Sequence, residues 1–197
     1  DQEIEILNNV IYSTNNQVQS LTGLVLGNCA YLRAYHNSIS IANNYSFDYS
    51  NALNATNSQH VIFVNNIFSC QYSGHALALA NVTDTWFANN NYYSSGINLL
   101  KIDNIAYPVE TAFTALPDAN AFYANPLTNQ QGNTMAAYLG NKGAPSYVQS
   151  DIDYVVYGST IPIGANDIVF AEALSGTYTV GTGGAFSSMG EALDTLV

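Results

Sequence analysis

The sequence predicts an all-β solenoid, a chain that winds through successive coils of short strands. Three observations lead to this fold class: a repeat of 24 to 29 residues in the N-terminal half, alternating apolar residues within each copy, and asparagines that recur at the same places. Periods of this length that hold two or three short strands are typical of one solenoid coil. Alternate side chains of a strand point to opposite faces, so the apolar positions should fill the interior.

The composition restricts the partners that the chain can have. It has 197 residues, of which 48% are apolar and 9% are charged, so it can bury a sizeable core. The net charge is −11, and the basic residues are Arg33, Lys101 and Lys142. Nucleic acids and anionic membranes require clustered basic side chains, so we expect neither as a partner.

The ends of the sequence give no targeting signal. No apolar run approaches the length of a membrane span, and the acidic start Asp1–Glu5 is unlike a signal peptide. We therefore expect either a secreted precursor that has lost its leader or a piece excised from a longer protein.

Three segments of the N-terminal half superpose without gaps. They are "LVLGNCAYLRAYHNSI" (24–39), "LNATNSQHVIFVNNIF" (53–68) and "LALANVTDTWFANNNY" (77–92), and they start 29 and then 24 residues apart. The shared apolar columns are Leu24/Leu26, Leu53/Ala55 and Leu77/Leu79, then Leu32/Ala34, Val61/Phe63 and Thr85/Phe87, and last Ile39, Phe68 and Tyr92. The opening "IEILNNVI" matches the second half of a copy, with Ile4, Ile6 and Ile11 in the same columns. We therefore predict stacked coils over residues 4–93.

Asparagine occupies two more columns of the repeat. The first column holds Asn28, Asn57 and Asn81, and the second holds Asn9, Asn37, Asn66 and Asn90. Asparagine is depleted in strands, which places these residues at corners between strands. In an inward column each side-chain amide can donate to the side-chain carbonyl of the next copy, which satisfies buried polar groups. The second column is therefore predicted to form a buried asparagine ladder.

Two cysteines, Cys29 and Cys70, raise the question of a disulfide. Cys29 is the sixth residue of its copy and Cys70 the eighteenth of the next. Different columns lie on different sides of a coil, so we expect two buried thiols rather than a bond.

The C-terminal half loses the repeat. Val109, Ala112, Phe113 and Leu116 share one face of a predicted helix that Pro117 ends. An open solenoid end exposes backbone edges and an apolar cross-section, so we interpret residues 97–172 as its cover. Residues 175–197 read as a strand, a Gly-rich turn and an amphipathic helix.

Several stretches together resemble a known family. The coils "VIFVNNIFS" and "TWFANNNYYSSG", the segments "PVETAFTALPDANAFYANPL", "NKGAP" and "VQSDIDYVVYGSTIPIGAND", and the tail "LSGTYTVGTGGAFSSMGEAL" carry the resemblance. They are similar to right-handed parallel β-helix (pectin-lyase-like) modules of large surface proteins exported by Bacteroidetes-type bacteria. The resemblance implies β-helix coils over 1–96, a C-terminal cap over 97–172, and over 173–197 the strand and capping helix of a following module.

The function expected first is that of a structural module in a large extracellular or cell-surface protein, one that forms filaments. Its partners would be further copies, head to tail, or neighbouring modules of the same polypeptide. The alternative is a carbohydrate-binding adhesin, because sugars stack on exposed aromatic rings. Its candidate contacts are Tyr31, Tyr35, Tyr45, Tyr49, Tyr72, Trp86 and Tyr93. A polysaccharide lyase or glycoside hydrolase ranks third, since the few cations and scattered carboxylates offer no catalytic set.

Two further sets of residues complete the expectations. The assembly interface is expected at Ile4, Ile6 and Ile11 of the first coil and at Phe186, Met189, Leu193 and Leu196 of the C-terminal helix. Asp151, Asp153 and Asp167 are candidate ligands of a structural Ca²⁺, although Asp is equally common in turns without metal. No other cofactor is expected.

Overall fold

The structure, a computed structural model, describes residues 3–14, 20–43, 50–72, 74–126, 139–158 and 161–165. It is mostly strand, about 55%, and forms a β-solenoid of about four turns. The predicted fold class, an all-β parallel β-helix, is confirmed. The predicted strand and helix of residues 173–197 lie outside the described residues.

Two parallel sheets form the walls of the solenoid. Their strands, with one helix, are β1 (Glu3–Leu7), β2 (Val10–Thr14), β3 (Thr22–Gly27), β4 (Tyr31–Tyr35), β5 (Ser38–Asn43), β6 (Asn51–Val64), β7 (Ile67–Tyr72), β8 (His75–Ala88), β9 (Asn91–Ser94), β10 (Leu100–Ile102), β11 (Ile105–Tyr107), α1 (Val109–Ala115) and β12 (Asp118–Ala119). The larger sheet runs β1-β4-β6-β8-β10-β11, with β3 also paired to β6 and β12 to β8. The smaller sheet runs β2-β5-β7-β9.

The strand register is the one that the repeat predicts. Leu24 lies opposite Leu53 and Leu53 opposite Leu77, so the first alternating stretches stack. The closing residues stack in the same way, Ile39 on Phe68 and Phe68 on Tyr92. A register shifted by one residue would turn every apolar side chain outward, which is why the pattern fixes the pairing.

Aromatic side chains fill the centre of the coils. The Phe63 ring stacks on Phe87 with centroids 5.1 Å apart, and the Phe68 ring lies 5.6 Å from Tyr92. All four side chains are buried. Residues of successive coils thus continue one apolar column along the axis, and their burial is the main favourable term in stacking.

Left-handed residues turn the chain at two places in each coil. Asn28, Asn57 and Asn81 bend the larger sheet, with φ of 57°, 48° and 53°. Four more residues turn the chain from the larger sheet into the smaller one; we call this set, Asn8, His36, Asn65 and Asn89, the outer corner column. Asparagine tolerates the left-handed region better than most residues, so the first asparagine column of the repeat marks these bends.

The next residue at each corner points inward and forms the asparagine ladder, Asn9, Asn37, Asn66 and Asn90. The Asn37 side chain donates to Asn66 Oδ1 at 2.9 Å, and Asn66 donates to Asn90 Oδ1 at 2.9 Å. Each Oδ1 also accepts the backbone N–H of the preceding coil, for example Asn37 N to Asn66 Oδ1 at 3.0 Å. Asn37, Asn66 and Asn90 are buried and Asn9 is exposed at the first described coil.

Residues 97–124 continue the coil and close its C-terminal end. The predicted helix is present as α1, with Ala112 buried and the Phe113 ring 5.9 Å from Tyr92. Strand β12 then pairs with the second half of β8, and Asp118 Oδ2 accepts the last ladder bond from Asn90 Nδ2 at 2.7 Å. The ladder therefore ends on a carboxylate.

Residues 139–158, which we call the strap, lie along the side of the coils instead of on their end. The strap crosses the outer corner column from its last coil to its first, and residues 161–165 run beside it. The sequence interpretation placed all of 97–172 as an end cover. The structure divides that segment because the polar corner groups of every coil need partners that the strap backbone supplies.

Candidate functional site

The outward face of the larger sheet carries two exposed aromatic side chains. Tyr31 is 38% exposed and stacks on His60, with ring centroids 4.6 Å apart and planes 8° from parallel. Trp86 is 59% exposed two coils further along the same face, in register with Ile62 and Arg33. A flat face with separated aromatic rings offers stacking positions to a planar or pyranose ligand.

Charged side chains on this face pair with one another. Arg33 Nε lies 2.5 Å from Glu3 Oε1, and its Nη1 lies 4.0 Å from Glu5 Oε1. His60 Nδ1 forms an ion-pair contact with Asp84 Oδ2. The carboxylates outnumber the guanidinium here, so the face keeps an acidic balance and would disfavour a polyanionic ligand.

The other aromatic candidates are dispersed. Tyr35 also points outward, but it is only 7% exposed because Tyr147 of the strap packs edge-on against it at 4.9 Å. Tyr72 is exposed at the end of β7, and Tyr93 lies on the smaller sheet with its ring 5.9 Å from Tyr123. Tyr45 and Tyr49 lie outside the described residues. The structure therefore places Tyr31 and Trp86 on one face, two coils apart, and places the other described candidates elsewhere or under the strap.

A shallow groove of about 310 Å³ runs along the bend of the larger sheet, beside the aromatic face. Its lining is mostly amide and hydroxyl side chains, with one thiol and one methyl group: Asn28, Asn57, Ser58, Gln59, Asn81 and Thr83, with Cys29 and Ala30. Asn81 Nδ2 donates to Asn57 Oδ1 at 3.1 Å, so the side chains of successive coils form an ordered polar row. Gln59 and Thr83 immediately precede His60 and Asp84, which makes the groove and the face continuous.

The strap binds the outer corner column one coil at a time. Asn89 Nδ2 donates to Lys142 O at 2.6 Å, and Asn8 Nδ2 donates to Ser150 O at 2.8 Å. Asn65 makes a two-point contact with one peptide unit: its Nδ2 donates to Ala144 O at 2.8 Å while its Oδ1 accepts from Ala144 N at 2.7 Å. Asparagine amides thus recognise the strap backbone, and the side chains of the strap are free to vary.

His36, like Asn65, is fully buried beneath the strap. Its Nε2 lies 3.0 Å from both Ser146 Oγ and Asn65 Nδ2. Its Nδ1 lies 3.3 Å from the Tyr157 hydroxyl, and the two rings stack at 5.0 Å. Burial lowers the pKa of His36 to about 4, and a backbone hydrogen bond to Gly164 opposes that shift.

Asp118 is a half-buried acid at the end of the asparagine ladder. Its Oδ2 accepts from Asn90 Nδ2 and from the Tyr92 hydroxyl, both at 2.7 Å. Burial raises the pKa of Asp118 to about 6, and these two donors partly offset the shift. Burial and the adjacent carboxylate also raise the pKa of Tyr92, which keeps its hydroxyl a donor.

The N-terminal coil presents unpaired strand edges within the described residues. Strands β1, β2 and β3 each pair with one strand, β4, β5 and β6 respectively. Ile6 and Ile11 pack against the core, whereas Ile4 is 40% exposed. The other half of the expected assembly interface, Phe186, Met189, Leu193 and Leu196, lies outside the described residues.

The candidate Ca²⁺ ligands have structural roles where they are described. Asp151 is buried, and its Oδ1 accepts the backbone N–H groups of Asp153 and Val155 at 2.9 and 2.8 Å. This arrangement closes the turn of the strap hairpin, in which Ser150 pairs with Val156. No cluster of three acidic, histidine or cysteine ligands occurs among the described residues, and Asp167 is not one of them.

The two cysteines lie apart. Cys29 is buried at the bend of the larger sheet, Cys70 is buried in β7 of the smaller sheet, and no disulfide joins them. This agrees with their different positions in the repeat.

Sequence reasoning missed the outer corner column as a binding element. Asn65 and Asn66 are adjacent, and the repeat predicted a role in the asparagine ladder for Asn66 but no role for Asn65. The available signal was the residue before each ladder position, which is Asn in three coils and His in one.

Comparison with protein-family models, with curated protein sequences and with solved structures finds no match for this chain. Among the described residues, the helix is too short to cross a membrane.

Proposed function

We propose that this chain is a structural module of a large extracellular surface or filament-forming protein, of the pectin-lyase-like β-helix kind exported by Bacteroidetes-type bacteria. It assembles through end-to-end contacts, either with further copies or with neighbouring modules of the same polypeptide. The observation that supports this proposal is the set of strand edges at the first described coil that have no partner among the described residues.

The backbone of β1 explains why this edge accepts a partner. Asn8 N donates to Tyr35 O at 3.1 Å, so residue 8 and the residues at alternate positions before it face β4. The N–H and C=O groups of Glu3 and Glu5 and the N–H of Leu7 then point away from β4, along the solenoid axis, whereas Leu7 O accepts from Asn9 Nδ2 at 2.9 Å. Such a row of unpaired groups is a template for another strand, and added backbone hydrogen bonds would continue the parallel sheet.

The apolar cross-section of the same coil supports the proposal. Ile4 is exposed at this end, whereas Leu32 and Val61, the equivalent residues of the next two coils, are fully buried; Thr85, in the coil after them, is exposed. A coil added in register would bury Ile4 in the same way and gain the burial energy of an aliphatic side chain. A contact between unlike ends does not close on itself, so its repetition produces a filament.

A charge placed at this end tests the proposal. Ile4→Lys adds one positive charge at an inward position of the edge coil, and Val25→Lys adds the same charge at an exposed, outward position of β3. We expect the wild-type mass in light scattering to rise with protein concentration and electron micrographs to show fibres. The Ile4→Lys variant should stay monomeric with an unchanged circular dichroism spectrum, whereas Val25→Lys should assemble.

A monodisperse monomer at the highest soluble wild-type concentration would overturn the end-to-end model. Assembly that Ile4→Lys and Val25→Lys weaken equally would show that the added charge, and not the inward position of residue 4, controls association.

A second function, carbohydrate binding, is favoured by one observation: Tyr31 and Trp86 lie exposed on one face beside an amide-lined groove. Amide and hydroxyl groups match the hydroxyls of a saccharide, and aromatic rings stack on its apolar faces. The acidic balance of Glu3, Glu5 and Asp84 favours neutral glycans over uronate polymers.

A glycan array with matched aromatic variants tests this second function. Trp86→Ala should lose binding to neutral glycans, while Tyr154→Ala, which removes an exposed ring from the strap hairpin, should retain it. Equal binding by both variants, or no binding by the wild type, would remove the carbohydrate function. The described Asp84, Asp103 and Asp118 all have structural contacts, which gives the lyase and hydrolase alternatives no support.

A further inference from the structure

The outer corner column changes residue type in one coil. Asn8, Asn65 and Asn89 occupy it in three coils, and His36 occupies it in the remaining one. All four are left-handed, with φ between 52° and 58°. Asparagine adopts this conformation at least as well as histidine, so the turn does not require a histidine. The substitution introduces the one titratable side chain of the described column.

The hydrogen-bond directions around His36 leave one protonation state for Nε2. Ala144 fixes the orientation of the Asn65 amide, because Asn65 Oδ1 accepts from Ala144 N and Nδ2 donates to Ala144 O. The Nδ2 group therefore also faces His36 as a donor, at 3.0 Å from Nε2. Nε2 must accept this bond, so it carries no proton. A proton on Nε2 would set two donors against each other in a buried site.

We propose that His36 makes the strap an acid-released element: protonation of Nε2 breaks the contact with Asn65 and detaches residues 142–157 from the outer corner column. The Asn65 amide group that contacts His36 also donates to Ala144 O, so loss of the contact with His36 weakens the bond to Ala144 as well. Because the attached Nε2 carries no proton, the Ser146 hydroxyl donates either to Nε2 at 3.0 Å or to Val148 O at 3.2 Å, and the second bond lies within the strap.

Among the residues that the structure describes, no charged side chain faces His36 to compensate an imidazolium. The described side chains that face it are Asn65 of its own column and Ser146 and Tyr157 of the strap, and the backbone of Gly164 also contacts the ring. Tyr157 is the titratable group among them, and it is neutral throughout the acid range. Burial is what lowers the pKa of His36, and no acidic side chain acts to raise it. A protonated His36 ring is therefore more stable in water than in this buried site, which favours release of the strap.

The pH range follows from the two states of the ring. Folded and covered, His36 has a pKa of about 4, against 6.5 for an ordinary histidine. The depressed value means that the attachment is strongest above pH 6.5 and weakens as the pH falls toward 4. At pH 4 the opening equilibrium of the strap should be about a hundredfold more favourable than at pH 7.

Release of the strap uncovers an apolar surface. Tyr35, Val64 and Ala88 are buried on the outward side of the larger sheet, where Ala144 and Val148 of the strap pack against them. These residues lie in adjacent coils in register, so they form a continuous strip along the axis. An exposed strip of this kind is an association surface. Acid would thus add a lateral contact to the solenoid, distinct from its ends.

Amide hydrogen exchange followed by NMR tests the proposal on the whole chain between pH 7 and pH 4. Protection factors, corrected for the intrinsic pH dependence of exchange, should fall about a hundredfold for Ala144, whose N–H donates to Asn65 Oδ1 across the attachment, and should also fall for Val155 and Tyr157, whose N–H groups bond within the strap. Those of Asn91 and Phe122, in the coils, should change little. The imidazole resonances of His36 should titrate with a pKa well below 6.5.

His36→Asn is the matched control, because asparagine is the residue of the other three coils and does not titrate. This variant should keep strap protection down to pH 4 and should not gain the acid-dependent binding of a hydrophobic dye that we expect of the wild type. If His36→Asn fails to fold, His36→Gln supplies the same test. Tyr157→Phe should lower strap protection at every pH and leave the pH dependence in place.

Two outcomes would overturn the proposal. One is a wild-type strap whose protection does not change between pH 7 and pH 4. The other is equal loss of protection in the wild type and in His36→Asn, which would assign the acid effect to another group. Simultaneous loss in the strap and the coils would also overturn it, because that result indicates global unfolding instead of local release.

Discussion

Asn66 shows how a polar residue stabilises the interior of a coil. It is fully buried, donates to Ala34 O at 2.9 Å and to Asn90 Oδ1 at 2.9 Å, and accepts from the backbone N–H of Asn37 at 3.0 Å. An asparagine at this position therefore satisfies backbone groups of two coils at once. The ladder lets the chain turn inside an apolar column without leaving unpaired amides.

We expect Asn66→Leu to lower the free energy of unfolding by about 1–3 kcal/mol for each buried group that it leaves unpaired. Urea titration measures the change. Asn9→Leu is the control, because Asn9 lies exposed at the first described coil and accepts no bond from a preceding one. An unchanged or higher stability of Asn66→Leu would contradict the role assigned to the ladder.

Asp118 gives the ladder a titratable end. Its pKa of about 6 in the folded state exceeds the ordinary value of 3.8, because burial disfavours the carboxylate. A carboxyl group with a raised pKa binds its proton more tightly when folded. Its contribution therefore makes the free energy of unfolding fall as the pH rises from about 4 to about 6.

Between pH 4 and pH 6, Asp118 should lower the free energy of unfolding of the wild type by up to about 3 kcal/mol, and we expect Asp118→Asn to remove this decrease. The measurement is the difference between variant and wild-type stability in urea at pH 4 and at pH 7, and Asp118→Asn should gain relative to the wild type at the higher pH. Asp153→Asn, at an exposed position, is the control. The variant must be compared with the wild type at each pH, because protonation of His36 lowers the free energy of unfolding as the pH falls over an overlapping range. A difference that stays constant with pH would show that Asp118 is not held in its acid form.

At the level of elements, residues 161–165, which run beside the strap, depend on close approach of their backbone to the coils. Gly164 N donates to Asn65 O at 2.8 Å, and Gly164 adopts a φ of +106°. A Cβ there would lie 2.7 Å from Ile67 Cδ1 and 2.7 Å from Ser38 Oγ. Only glycine fits both the conformation and the space.

Gly164→Ala should therefore lower the free energy of unfolding by more than about 1 kcal/mol. Gly158→Ala provides the matched comparison, since no atom lies within 4 Å of a Cβ at that position. Urea titration of both variants measures the effect, and hydrogen exchange should locate the loss of protection in residues 139–165. Equal stability of the two variants would mean that residues 161–165 are not packed as closely as the distances indicate.

Across the whole molecule, the charge of −11 with three basic residues makes the folded state repel itself. The one described arginine is already engaged with Glu3 and Glu5. Salt screens exposed charges over about 8 Å at physiological ionic strength. The solenoid should therefore be more stable in moderate salt than in water.

Raising NaCl from about 10 mM to about 150 mM should increase the thermal midpoint, by about 2–4 °C for each kcal/mol of repulsion removed. Calorimetry at neutral pH measures this shift. KCl at the same concentrations should give the same result, because screening does not depend on the cation. A midpoint that decreases with salt would indicate that attractive pairs outweigh the repulsion.

Much of the fold was predictable because the repeat is local information. The apolar alternation and the spacing of the copies fixed the register of Leu24, Leu53 and Leu77, and the asparagine columns marked the bends and corners. The helix that begins at Val109 was visible from its apolar face and from Pro117. At the candidate site, the outward position of Trp86 followed from strand alternation.

The alternation of apolar residues establishes which side chains point inward, since burying one face of a period-two pattern admits one register. The position of the strap is established only by contacts between distant parts of the chain. The bonds of the strap join Ala144 to Asn65 and Ser150 to Asn8, over 79 and 142 residues of separation. These bonds pair side-chain amides with backbone groups of the strap. Every residue has such backbone groups, so no pattern of residue types predicts the bonds. The burial of Tyr35 and His36 followed from that placement, because a side chain on an outward face is covered only when another segment lies across it.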